Sequence, residues 1–229
     1  MSTSVSHAYL ALLLADGRLP TGAHTQSAGV EPAFLHGMRL DQVPDYLRVR
    51  LATVTEVEAA AAVVARHRWL ESDRGDPMRV EAMVAVDTAW RVRTLSDALR
   101  EASDLLGRSY LRTAAAVWDL RPLVEAGRSW CRAVVMGATA AAAGLTAAEL
   151  ARVLAFEEVQ TVIAASLKLS PFDPAHGVRW AAAAECDVEA LVTRVSGLTR
   201  PDQVPAHGAP LIEEWGQRHR TIERRLFRA

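Results

Sequence analysis

Apolar positions recur along this chain at intervals of three and four residues, with no useful stretch of strict alternation. That period is the helical one, because residues three and four apart share a helix face. Val43, Tyr46, Leu47 and Leu51 trace one such stripe. Leu99, Leu105, Leu106 and Leu111 trace another, with Gly107 inside it. A glycine there costs about 1 kcal/mol against alanine and marks a close helix contact.

Punctuation between the stripes sets the boundaries. A first helix over residues 6–15 stops at Asp16-Gly17, and Pro20 prevents its return. Ser27 is read as the cap of a short helix ending near Gly37. Asp41 precedes the next, a break falls at residues 53–55, and Thr55 is read as the cap of a helix reaching about Leu70. Asp76-Pro77 opens a helix to Val92, Ser96 opens one toward Trp118, and Ser129 opens an alanine-rich one ending at Gly144. Thr146-Ala147-Ala148-Glu149 is a capping box for a helix to Leu169, stopped by Ser170-Pro171. Asp173-Pro174 starts a further helix to Ser196-Gly197. Residues 199–210 hold Pro201, Pro205, Gly208 and Pro210 and read as a linker. The pattern predicts an all-α, single-domain bundle of about ten helices with short capped turns. It covers residues 1–210, with a C-terminal docking arm over 211–229.

Composition supports this. Half of the 229 residues are hydrophobic, alanine dominates and aromatics are few, a balance that favours helix. Net charge is −1, so bulk attraction to nucleic acid is not expected. Two cysteines, Cys131 and Cys186, are too few and too far apart for a disulfide framework or a zinc site. The longest uncharged apolar stretch, residues 133–145, falls short of a membrane span, and a basic leader is absent. A cytoplasmic protein is expected.

Candidate chemistry is sparse. No two of the seven histidines stand at the i, i+4 spacing of a helical metal site, and single surface or half-buried roles suit them; His24, on a glycine-flanked loop, is the one set aside. Glu157-Glu158 could do acid–base work, but adjacent residues point to different helix faces, so at least one is expected in solvent. A phosphate-cradling glycine loop is missing. Lys168, the only lysine, sits where a helix ends. It either complements the helix dipole or pairs with an acid such as Glu31 or Asp173. The tail carries Arg218, Arg220, Arg224, Arg225 and Arg228 with Leu226 and Phe227. A frayed terminus gains nothing from Leu-Phe, whereas a docking segment supplies arginine and aromatic anchors. Binding of other proteins, not catalysis, is the expectation. The alternatives are a small helical enzyme with a central pocket, of the haem- or thiamin-metabolising type, and a helical transcription regulator. The first needs a His or Glu of perturbed pKa in that pocket; the second needs a basic helix-turn-helix, absent from the first sixty or so residues.

Leu19-Pro20-Thr21-Gly22 followed by Ser27, Gly29 and Glu31, then Arg100-Glu101-Ala102-Ser103 with Gly107-Arg108, then Lys168-Leu169 with Pro171, and last His219 with Arg225-Leu226-Phe227 form an ordered set. In that order they resemble the signatures of the urease accessory protein F family, over nearly the whole chain. His24, Gln26, Asp173, His176 and Glu223 depart from the family pattern. The resemblance implies a homodimeric, non-enzymatic scaffold without a tightly bound cofactor. It implies partners as well: a D(H)-type accessory protein, a nickel-carrying G-type GTPase and apo-urease, with nickel handled by the complex; charge and composition already argue against nucleic acid and membrane as partners. It further implies that Arg218, His219, Arg224, Arg225, Leu226 and Phe227 contact the D-type partner. Glu31 and Lys168 become candidates for a gate or polar path, expected within ion-pair range of each other. Pro20, Gly22, Ser27 and Gly29 form the signature loop.

Overall fold

A computed structural model describes residues 6–22, 25–72, 78–219 and 226–227. All regular structure among these is helical, in one all-α domain. The helices are α1 (His7–Leu14), α2 (Val30–Leu35), α3 (Val43–Ala52), α4 (Val54–Glu71), α5 (Met78–Arg91), α6 (Asp97–Ala114), α7 (Arg121–Glu125), α8 (Arg132–Ala143), α9 (Ala147–Leu169), α10 (Pro174–Ala183), α11 (Glu185–Val195) and α12 (Pro210–His219). Short 3₁₀ turns lie at Leu40–Gln42 and Pro201–Gln203.

The centre is the α4–α8 pair, flanked by α5, α6 and α9. Residues 59–65 of α4 are all buried and all Ala or Val, which lets α8 approach closely. A Cβ at Gly137 would overlap the Ala62 carbonyl oxygen, and one at Gly107 would overlap the Trp130 carbonyl oxygen. The glycine inside α6 thus marks the helix contact its position suggests.

Local chemistry sets the boundaries. Thr146 Oγ1 accepts from the Glu149 amide at 3.2 Å, and Glu149 Oε2 accepts from the Thr146 amide at 2.7 Å, closing the capping box. Ser96 Oγ accepts from the Leu99 amide, and Asp173 Oδ1 accepts from the Ala175 amide. Asp173 is therefore a cap and not a partner of Lys168. Two expected caps move. Gly29, with φ of 76°, is the N-cap of α2 in place of Ser27, and Thr53 caps α4 in place of Thr55, whose buried hydroxyl has no hydrogen bond. The stretch expected as one helix after Pro174 is two, broken at Ala184. Asp76-Pro77 and His24 lie outside the described residues.

Residues 211–219, expected in a docking arm, belong to α12, which packs on α2 and α6 with Ile212 and His219 buried. Gln217 Oε1 accepts from Ser96 Oγ at 3.1 Å and from the Ala98 amide at 3.2 Å. The segment is seated on the body by both apolar and polar contacts.

Candidate functional site

The signature loop has a conformation that its sequence requires. Gly22 and Gly29 adopt left-handed φ of 80° and 76°, and Ala28 joins them at 49°. That turn frees the Ala28 carbonyl to accept from Tyr46 Oη at 2.6 Å. A Cβ on Gly29 would come within 2.7 Å of the same hydroxyl, so glycine is needed for both φ and space. Ser27 is fully buried beneath the turn, and its carbonyl accepts from the Val30 amide at 3.0 Å. Pro20 stays exposed, and its carbonyl lies 3.5 Å from Thr113 Oγ1 on α6.

The turn drives Glu31, in the first turn of α2, into the protein, where it is 4% exposed. A buried carboxylate is costly unless hydrogen-bonded. Glu31 Oε2 pairs with His219 Nε2 at 2.8 Å and accepts from the Phe227 amide at 3.1 Å; Oε1 accepts from the Leu226 amide at 2.6 Å. One side chain from the N-terminal signature thus clasps the end of α12 and the C-terminal dipeptide.

Phe227 is buried against the body, and its ring lies 5.3 Å from Lys168 Nζ, whereas the Leu226 side chain is 72% exposed. The expected Glu31–Lys168 ion pair is not formed. The two residues meet through Phe227 instead: Glu31 holds its amide and Lys168 covers its ring. Arg218 sits in solvent and pairs with Glu214 at 2.5 Å. Arg220, Arg224, Arg225 and Arg228 lie outside the described residues.

A second polar assembly lies deeper. Glu157 accepts from Arg132 at 2.7 Å and from Tyr110 Oη, while Glu158 pairs with Arg50. Neither glutamate is free in solvent, which corrects the expectation for this pair. Helix α9 is packed against α3 and α4 as well as α11, so both directions from it meet protein. Glu58 stands opposite Arg132, with Nη1 3.9 Å away; burial pushes its carboxyl up, against the pull of Arg132. Burial likewise raises the Tyr110 hydroxyl and the Cys131 thiol. Arg50, Glu58, Arg132, Glu157 and Glu158 border a cavity of about 160 Å³ that also reaches Thr55, Trp90 and His207. Arg132 and Thr55 line it, and their Nε and Oγ1 atoms are buried without hydrogen bonds.

The sequence carries a sign of this network beyond the Glu157-Glu158 pair. Arg50 continues the Val43, Tyr46, Leu47 stripe, and Glu157 continues the Leu150, Val153, Leu154 stripe. A charged residue at a core-facing helical position signals a buried pair.

Among the described residues, no group of three or more His, Cys, Asp or Glu could hold a metal ion, and no helix is long and apolar enough to cross a membrane. Fold and site together define an all-helical protein that spends its buried polar groups on joining its own segments. Its residues 39–185 match the family model described as UreF. The chain is 31% identical over 224 residues to the urease accessory protein UreF of Mycobacterium marinum, covering 94% of this chain and 96% of that one. It is similarly 31% identical to the UreF proteins of Mycobacterium sp. strain JLS and Mycobacterium tuberculosis H37Rv, with the same coverage. The chain belongs to the UreF family of urease accessory proteins, and it is an accessory protein rather than an enzyme.

Proposed function

We propose that this chain is a cytoplasmic scaffold for nickel insertion into apo-urease. It acts in a complex with the D(H)-type accessory protein and the nickel-carrying G-type GTPase. Family membership over nearly the whole chain carries the reading. The family machinery supplies nickel and GTP hydrolysis through the partners, and this subunit supplies surfaces. The C-terminal residues are the D-type contact, with Leu226 as its apolar anchor because Glu31 and Phe227 hold the backbone while that side chain stays exposed. Arg218, Arg224 and Arg225 complete the contact, and His219 acts from inside, through Glu31. Glu31 and Lys168 then form the polar gate of the interface by controlling where the dipeptide sits.

The chain acts as a homodimer. Tyr9 and Leu12 on α1 and Phe156 on α9 are 63%, 71% and 45% exposed, an apolar cost that a second copy relieves.

A pull-down with the D-type protein tests the arm. Because α12 packs into the body, deletion of residues 211–229 also removes buried contacts. The point variant Leu226→Asp, at an exposed position, is therefore the cleaner probe. It is expected to lose the partner while keeping the wild-type melting temperature. Full retention of the partner by Leu226→Asp and by the deletion together would remove this role.

A further inference from the structure

The cavity of about 160 Å³ lies where α3, α4, α5, α6, α8 and α9 each contribute a side chain. A space of that size admits a body of about six heavy atoms, since an engineered cavity of about 150 Å³ takes benzene. Val54, Leu99, Leu106 and Leu154 give it apolar walls, and Trp90 adds an aromatic one. His207, whose side chain is 52% exposed, lines it on the solvent side.

Its charges do not balance. Three arginines line it, Arg50, Arg93 and Arg132, against four glutamates, Glu58, Glu157, Glu158 and Glu213. Arg50 answers Glu158, and Arg132 answers Glu157 at 2.7 Å. Arg93 donates to the Val204 and Ala89 carbonyls. Glu213 sits in the first turn of α12, where the helix dipole offsets it. Glu58 remains. Among the described residues its ion pair is with Arg132, whose Nη1 stands 3.9 Å away, beyond hydrogen-bond reach. The Glu58 side chain keeps 16% of its surface accessible, yet burial is the main cause that raises its carboxyl, against Arg132. A carboxylate at once accessible and desolvated opens into a protein-walled space rather than into bulk water.

We infer that this cavity binds a small organic cation, a primary ammonium on a short apolar body, with the ammonium on Glu58 and the body among Val54, Leu99 and Leu106. The inference stands apart from the scaffold role proposed above. An anion would add to the surplus of carboxylates, and a neutral apolar molecule would leave Glu58 unanswered. A metal ion needs several ligands at once, and no group of three or more His, Cys, Asp or Glu could hold one among the described residues. An alkylammonium satisfies both walls and carboxylate, and Trp90 adds the attraction of an aromatic face for a cation.

The Trp90 indole is the reporter. The isotope-labelled full-length protein is titrated with n-butylammonium chloride, with n-butanol or with potassium chloride, while the indole N–H resonance assigned through Trp90→Phe is followed by NMR. Butylammonium should shift that resonance saturably, with a dissociation constant of about 1 mM, and the other two should not. Glu58→Gln keeps the shape and should weaken binding by about tenfold or more. Ala102→Leu fills the cavity from α6 without touching a charge and should abolish the response, which keeps the test decisive if Glu58→Gln fails to fold.

An equal response to n-butanol would reduce the site to an apolar void and overturn the inference. An equal response to potassium chloride would make it charge screening and overturn it as well. No saturable shift at Trp90, or full affinity in a folded Glu58→Gln or Ala102→Leu variant, would also overturn it, and each of these results leaves the scaffold role standing.

Discussion

Glu31 ties the N-terminal signature to the C-terminal residues through one carboxylate. It lies 188 residues from His219 in sequence, yet the two share a 2.8 Å contact, and the same carboxylate takes two main-chain amides from the C-terminus. Replacing it by glutamine keeps the shape but puts an amide donor against amide donors. Glu31→Gln should cost about 1–3 kcal/mol, concentrated at the C-terminus. Hydrogen exchange at the Leu226 and Phe227 amides should accelerate strongly while that of α4 and α8 stays slow; unchanged exchange at 226 and 227 would contradict the clasp. Gly29 belongs to the same scale. Gly29→Ala forces a side chain into φ of 76° and toward Tyr46 Oη, and should lower stability by about 1–3 kcal/mol in denaturant unfolding. A variant as stable as wild type would show that the turn relaxes at no cost.

Helix packing depends on small residues at the crossings. Gly137 of α8 sits against the Ala62 carbonyl and Ala65 of α4. Gly137→Leu should force these helices apart and cost about 3 kcal/mol by thermal or chemical unfolding; a smaller loss than that of an exposed substitution would refute the close approach. The elements were largely legible because their ends carry side-chain chemistry: Thr146 with Glu149, Ser96, and Asp173 with Pro174 all cap helices at the expected places. Legibility failed where the backbone itself did the work. Gly29 caps α2 through a left-handed φ, and the break at Ala184 lies in a run of alanines, which any propensity argument reads as continuous helix. The site was half legible for a similar reason. Glu31, Lys168, His219 and Phe227 were marked by motif, and they do converge. Their pairing was not, because it depends on how α12 returns across α2, a distance relation that local pattern does not carry.

The whole molecule holds a charged network at its centre, and that gives stability a pH dependence. Burial raises the Glu58 carboxyl above its ordinary 4.5, and Glu157 and Glu158 add to the rise while Arg132 opposes it. A raised acid favours the folded state at low pH. Its contribution is complete below the unfolded value and is lost as pH climbs through the folded one. Glu58→Gln removes that titration. As pH climbs above 4.5, wild-type melting temperature should fall relative to the variant's; parallel curves would show that Glu58 ionises without penalty. The same buried pairs make the core specific more than stable, since removing one partner strands a charge that the other had answered.

On the proposed function, the chain contributes surfaces to an assembly and has no activity apart from it. The most direct measurement is the nickel content of urease purified after co-expression of the urease subunits with the D-type and G-type accessory proteins, with and without this chain. The account requires urease made without it to be largely free of nickel and inactive, and urease made with it to be loaded. Fully loaded, active urease in its absence would contradict the account.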